Sequence, residues 1–194
     1  SLTSLLETNI PRLKQTGKIA IIRAREKGHN NLSEIQRLCV DMSISYKLFC
    51  SNTCNLENAI SLGVPYSFSD EEMIQWIEAP TEPCVVIIKG KLMMGKTIMD
   101  KRNVAFCVES SKSPNADTLL QGLIGRFCGY NNPHDSLFQN KNTEFFLYKG
   151  NEYIANEYER YFRSKQPPKT GMNVVHNKKK FDPIYDFISF PIDN

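Results

Sequence analysis

Three runs of the chain constrain its fold more than anything else in it: "KIAIIRA" from Lys18, "CVVIIKG" from Cys84 and "NVAFCVES" from Asn103. Each is a continuous apolar stretch rich in β-branched residues, with no polar residue at alternate positions. A strand of that kind has both faces covered. "SISYKLFCS" and "TEFFLYKG" read as two further strands. Between the runs lie segments with helical periodicity. Residues 2 to 14 form one, stopped by Gly17. "NLSEIQRLCVDM" is amphipathic, with Leu32, Ile35, Leu38 and Cys39 on one face. "SFSDEEMIQWIEAP" has Ser69 or Asp70 as its N-cap and Pro80 beyond its end. "TCNLENAISLGV", "SPNADTLLQGLIGRFCGY" and "NEYIANEYERYFRSK" are expected helices as well. Strands alternating with helices at this spacing predict an α/β fold with a mostly parallel sheet and helices on both faces.

The chain of 194 residues divides into a main domain, residues 1 to 165, and a linker or C-terminal extension, residues 166 to 194. "PPKTGMNVVHNKKK" reads as the linker; the aromatic-rich "FDPIYDFISFPIDN" is expected to pack back as an irregular tail. Lys178, Lys179 and Lys180 read as a solvated run, and Tyr153, Tyr158, Tyr161 and Phe162 as a packing face. The first residue is not Met, and the opening reads as the middle of a longer protein. A net charge of +3 is compatible with nucleic acid without being diagnostic. No apolar run is long enough to span a membrane.

Six cysteines and three histidines give no metal spacing: Cys50 and Cys54 stand as one pair without a second, and the histidines are scattered. Cys84 and Cys107 lie inside strand runs as small core residues. This usage fits an intracellular, reducing compartment.

The third strand run leads into "GKLMMGKT", which fits the phosphate-loop pattern G-x-x-x-x-G-K-S/T at Gly90 to Thr97. Such a loop needs a helix starting at Lys96 and Thr97. Only Ile98 to Arg102 separate Thr97 from the next strand, whereas a parallel crossover takes about ten to twelve residues in all. The whole stretch from Gly90 to Arg102 must then serve as the crossover, with a short helical piece at Lys91 to Met94 ended by Gly95. Its anion-binding end falls at Lys89, Gly90 and Lys91, not at Lys96.

In order and spacing, "KGKLMMGKTI", the strand "NVAFCVE" and "SPNADTLLQGLIGRFCGY" resemble the second RecA-like domain of superfamily-two helicases over residues 15 to 150. The first stretch is similar to motif V: Gly95 matches its Gly, Thr97 stands where an Asp is usual, and Lys89 where a phosphate-contacting Thr is common. The second is similar to motif VI. Gly125 and Arg126 match its Gly-Arg, Pro114 keeps the usual spacing, Gln121 is one position early, and Gly129 replaces the second Arg, giving a GRxxGY form.

The resemblance implies a three-layer RecA-like domain that works with an N-terminal RecA-like domain of the same protein. That missing domain would bind most of the ATP and Mg. Arg126 becomes the catalytic residue, reaching the ATP phosphates across the cleft, with Gly95, Thr97, Gln121 and Gly125 beside the nucleotide. Arg23, Arg25, Lys89, Gly90 and Lys91 become the contacts to DNA or RNA. Two alternatives are a stand-alone P-loop NTPase or phosphotransferase using Lys96 and Thr97, and a catalytically degenerate helicase-like binding module.

Overall fold

The computed structural model describes residues 1–24, 31–50, 69–89, 98, 101–111, 123, 143–153, 156 and 187–190. Helix α1 (Leu2–Thr16) leads into strand β1 (Ile19–Arg23). Helix α2 (Leu32–Asp41), β2 (Ser45–Cys50), α3 (Asp70–Glu78), β3 (Cys84–Lys89), β4 (Val104–Glu109) and β5 (Glu144–Tyr148) follow. The last described element is β6 (Phe187–Phe190).

The strands form one sheet in the order β2-β3-β1-β4-β5-β6. The first five are parallel, and β6 runs antiparallel to β5. Every residue of β1, β3 and β4 is buried, as the unbroken apolar runs require. Alternate residues feed two separate cores. Ile19, Ile21, Val86, Ile88 and Cys107 pack under Met73 and Ile77 of α3, together with Ile98 and Leu123. Ala20, Ile22, Val85, Ile87 and Val108 pack under Leu6, Ile10 and Leu13 of α1 and Ile35 and Cys39 of α2. The result is the expected three-layer α/β architecture, with helices on both faces of a mostly parallel sheet.

Local chemistry sets the helix ends. Gly17 closes α1 with φ 67°, a left-handed conformation that glycine adopts without steric cost. Ser69 caps α3 in a capping box: its side chain accepts from Glu72 N, and the Glu72 carboxylate accepts from Ser69 N. Pro11 lies inside α1 and removes one helical hydrogen bond. Five leucine and isoleucine side chains docked against the sheet hold that helix nonetheless. Trp76 of α3 packs on the core, with Lys47 Nζ 4.8 Å from its ring centre.

β4 carries an irregularity the sequence does not announce. Its register with β1 shifts from Ile19↔Val104 to Ala20↔Phe106, so Ala105 is an extra residue and joins Phe106 in the α1/α2 core. The tail also differs from expectation. Instead of staying irregular, Phe187–Phe190 pairs with β5 from Phe145↔Phe190 to Tyr148↔Phe187. An apolar, aromatic segment covers what would be an open edge on that side of β5. The expected helices at residues 53–64, at 113–130 apart from Leu123, and at 151–165 apart from 151–153 and 156, with the linker at 166–180, lie outside the described residues. No described helix is long and apolar enough to cross a membrane.

Candidate functional site at the carboxyl edge of the sheet

The direction of each crossover fixes where a ligand can meet this sheet. β1 connects through α2 on one face to β2, two positions away. The chain then returns through α3 on the opposite face to β3. Right-handed crossovers demand that change of face when the direction across the sheet reverses. Ile98, between β3 and β4, and Leu123, between β4 and β5, lie in the α3-side core. These two described residues, one after β3 and one after β4, thus share a face, while α2, which follows β1, the strand between them, takes the other. In open α/β sheets such a switch point opens a crevice outside the carboxyl ends of the strands.

Polar groups collect at that edge. Arg23, Asn31, Lys89, Glu109, Ser110 and Asn151 are all buried; among the described residues only Gln36 and Lys101 add to this class. Arg23 ends β1, and Glu109, its direct register partner, ends β4. Their side chains point to the α3 side, with Arg23 Nε 3.5 Å from Glu109 Oε2 and side-chain exposures of 10% and 2%. At that distance the pair is Coulombic, not a short bidentate fork. The other carboxylate oxygen, Glu109 Oε1, accepts from Ser111 N at 3.0 Å.

Ser110 is wholly buried, and its hydroxyl donates to the carbonyl of Arg23. It also accepts from Asn31 Nδ2 at 2.9 Å. Asn151, in the turn after β5, donates through Nδ2 to Ser111 O at 3.1 Å. The first two residues leaving β4 are thus held from β1, from the start of α2 and from the chain after β5.

Of the residues singled out from the sequence, Arg23 and Lys89 are described, and both are buried at the ends of their strands. Arg25, Gly90, Lys91, Gly95, Thr97, Gln121, Gly125 and Arg126 lie outside the described residues. All belong to segments that follow the carboxyl ends of β1, β3 and β4. Sequence reasoning found the cation at position 23 and missed Glu109, Ser110, Asn31 and Asn151. The one available signal was "ESS" directly after an apolar strand, an abrupt polar turn at a carboxyl end. Among the described residues no group of three His, Cys, Asp or Glu side chains could hold a metal ion.

The described thiols are core groups. Burial pushes Cys39 up to about 12 and Cys84 up to about 12. Burial raises Cys107 well above its ordinary value too, against a partial downward pull from Arg23. A raised folded-state value stabilises the domain below pH 9, where the unfolded thiol is also protonated. That stability is lost as pH climbs from about 9 to about 12, by about 1.4 kcal/mol per unit for each thiol. Thermal melts in a pH series should therefore show a level midpoint up to about pH 9 and a steep fall above it.

No family model matches the chain, and no curated protein matches it. Among solved structures, the chain is similar to the C-terminal domain of S. cerevisiae Dbp5 bound to Gle1 and IP6. The identity is 11%, the TM-score 0.44, and the match covers 88% of this chain and 84% of that one. It is also similar to a de novo designed protein of P-loop NTPase fold, with 15% identity, a TM-score of 0.41, and coverage of 76% and 91% of the two chains. Both likenesses are distant, and the fold assignment rests on the strand order and the two packed faces.

Proposed function

We propose that this chain is the second RecA-like motor domain of an ATP-dependent nucleic-acid helicase or translocase. One observation carries the reading. The segments bearing "GKLMMGKT" and "GRFCGY" leave the carboxyl ends of β3 and β4, the two strands that flank β1 at the switch point. Strand spacing sets those two exits about 10 Å apart. In this reading Arg126 meets the ATP phosphates presented by a first RecA-like domain of the same protein and stabilises transition-state charge. Gly95, Thr97, Gln121 and Gly125 line the nucleotide side. Arg25, Gly90 and Lys91 face the backbone of DNA or RNA, while Arg23 and Lys89 stay buried at the ends of the strands those segments leave. ATP and Mg would be held mainly by that first domain.

The reach of the chain argues against an ordinary P-loop at Lys96 and Thr97. By Lys101 the chain is at the amino edge, where the Lys101 carbonyl accepts from Val104 N at 2.9 Å and that of Asn103 from Ile19 N at 2.8 Å. A helix from Thr97 to Lys101 rises about 6 Å. β1 alone spans about 13 Å from edge to edge. Equilibrium ATP binding by this chain alone tests the reading against that rival. The expected result is no micromolar binding and no change in Lys96→Ala; micromolar binding abolished by Lys96→Ala would establish the P-loop enzyme instead.

A further inference from the structure

Asn31 breaks a local rule. It is the N-cap residue of α2, yet its side chain makes no capping hydrogen bond. An Asn at this position ordinarily accepts from an amide of the first turn, which is worth about 1 kcal/mol. Here its Nδ2 reaches across the sheet edge to Ser110 Oγ at 2.9 Å. Both residues are buried, at 3% and 0% exposure. Ser110 in turn is bound to the end of β1 twice, through its hydroxyl and through its amide to Arg23 O. A helix cap given up in favour of a tie between two distant segments is the kind of local conflict that marks a functional constraint.

The position of that tie gives it meaning. Asn31 closes the connection from β1 to α2, which contains Arg25. Ser110 opens the connection from β4 to β5, which contains Gln121, Gly125 and Arg126. We infer that the Asn31–Ser110 hydrogen bond couples the nucleic-acid-facing connection to the ATP-facing one, so that Asn31 and Ser110 are positioning residues for nucleic-acid-stimulated ATP turnover. This rests on the motor function proposed above. Neither residue needs to touch ATP or nucleic acid. The bond transmits a shift because the oxygen of Ser110 is shared: it accepts from Asn31 while its hydrogen is committed to Arg23. A displaced Asn31 therefore draws on the residue from which the Arg126 segment starts.

The test uses the full-length protein, with ATP turnover measured without nucleic acid and with saturating poly(U) or poly(dT). Asn31→Ala and Ser110→Ala should each lower the stimulation ratio about tenfold, a size ordinary for a residue on a coupling route. Unstimulated turnover and polymer affinity should stay within about twofold, because only the coupling between sites is cut. The double variant should lose no more than either single one, since both remove the same bond. Ile77→Val, a core truncation on the buried side of α3, serves as a control for destabilisation and should leave the ratio unchanged. A ratio kept by both single variants, or lost equally in Ile77→Val, overturns the coupling. A wild-type protein that turns over ATP without responding to either polymer overturns it as well. A wild type with no ATP turnover at all removes the motor reading itself, and the coupling with it.

Discussion

Replacing Glu109 with alanine is expected to cost the domain about 3–5 kcal/mol of stability, the ordinary loss when one partner of a buried ion pair is removed. Arg23 would be left with its charge buried beside β4 and without the Glu109 carboxylate. Glu109 Oε1 also accepts from Ser111 N, so the turn out of β4 loses one of its ties in the same change. Urea unfolding followed by circular dichroism reads the loss as a fall in midpoint at unchanged slope.

The paired variant Arg23→Met with Glu109→Leu should recover most of that loss. Two apolar side chains of similar volume suit a site between Ile88 and Leu147, the neighbours of Arg23 and Glu109 in the register. A Glu109→Ala loss below about 1 kcal/mol would be the behaviour of a solvent-screened pair and would contradict the burial described for this edge.

What was legible in the sequence was whatever leaves a periodic trace. β1, β3 and β4 were readable because two-sided burial writes an unbroken apolar run, and α2 and α3 because one-sided burial writes a stripe. Gly17 and Ser69 marked their helix ends through backbone chemistry that acts within a few residues. β6 escaped because "FISF" is too short for its pattern to separate strand from tail. The extra residue at Ala105 escaped because a bulge in an apolar run replaces one buried residue with another.

The site divides along the same line. The cations and glycines of the connecting segments stood out by type and spacing. The ties that organise the edge did not, because Asn31 and Ser110 lie 79 residues apart and nothing local to either announces the other. The burial of Arg23 is hidden from the sequence for the same reason: the carboxylate that lets it be buried is on β4, far along the chain.

The assignment of Arg126 carries the largest expected effect on activity. An arginine that meets transferring phosphoryl oxygens from across a cleft is worth about 10³–10⁵ in turnover. In the "GRFCGY" segment Gly129 stands where a second arginine is usual in the family this segment resembles, so no neighbour in that segment shares the load. Arg126→Lys should recover little, because an ammonium cannot reproduce the planar two-pronged donor geometry of a guanidinium. ATP affinity should change far less than turnover, since the interaction strengthens as charge develops in the transition state. The direct measurement is steady-state ATP turnover of the full-length protein with saturating nucleic acid, wild type against Arg126→Ala. The expected result is a fall in kcat of about 10³-fold or more with KM little changed. Turnover in Arg126→Ala equal to that of the wild type would contradict the placing of this domain as the second half of a two-domain ATP motor.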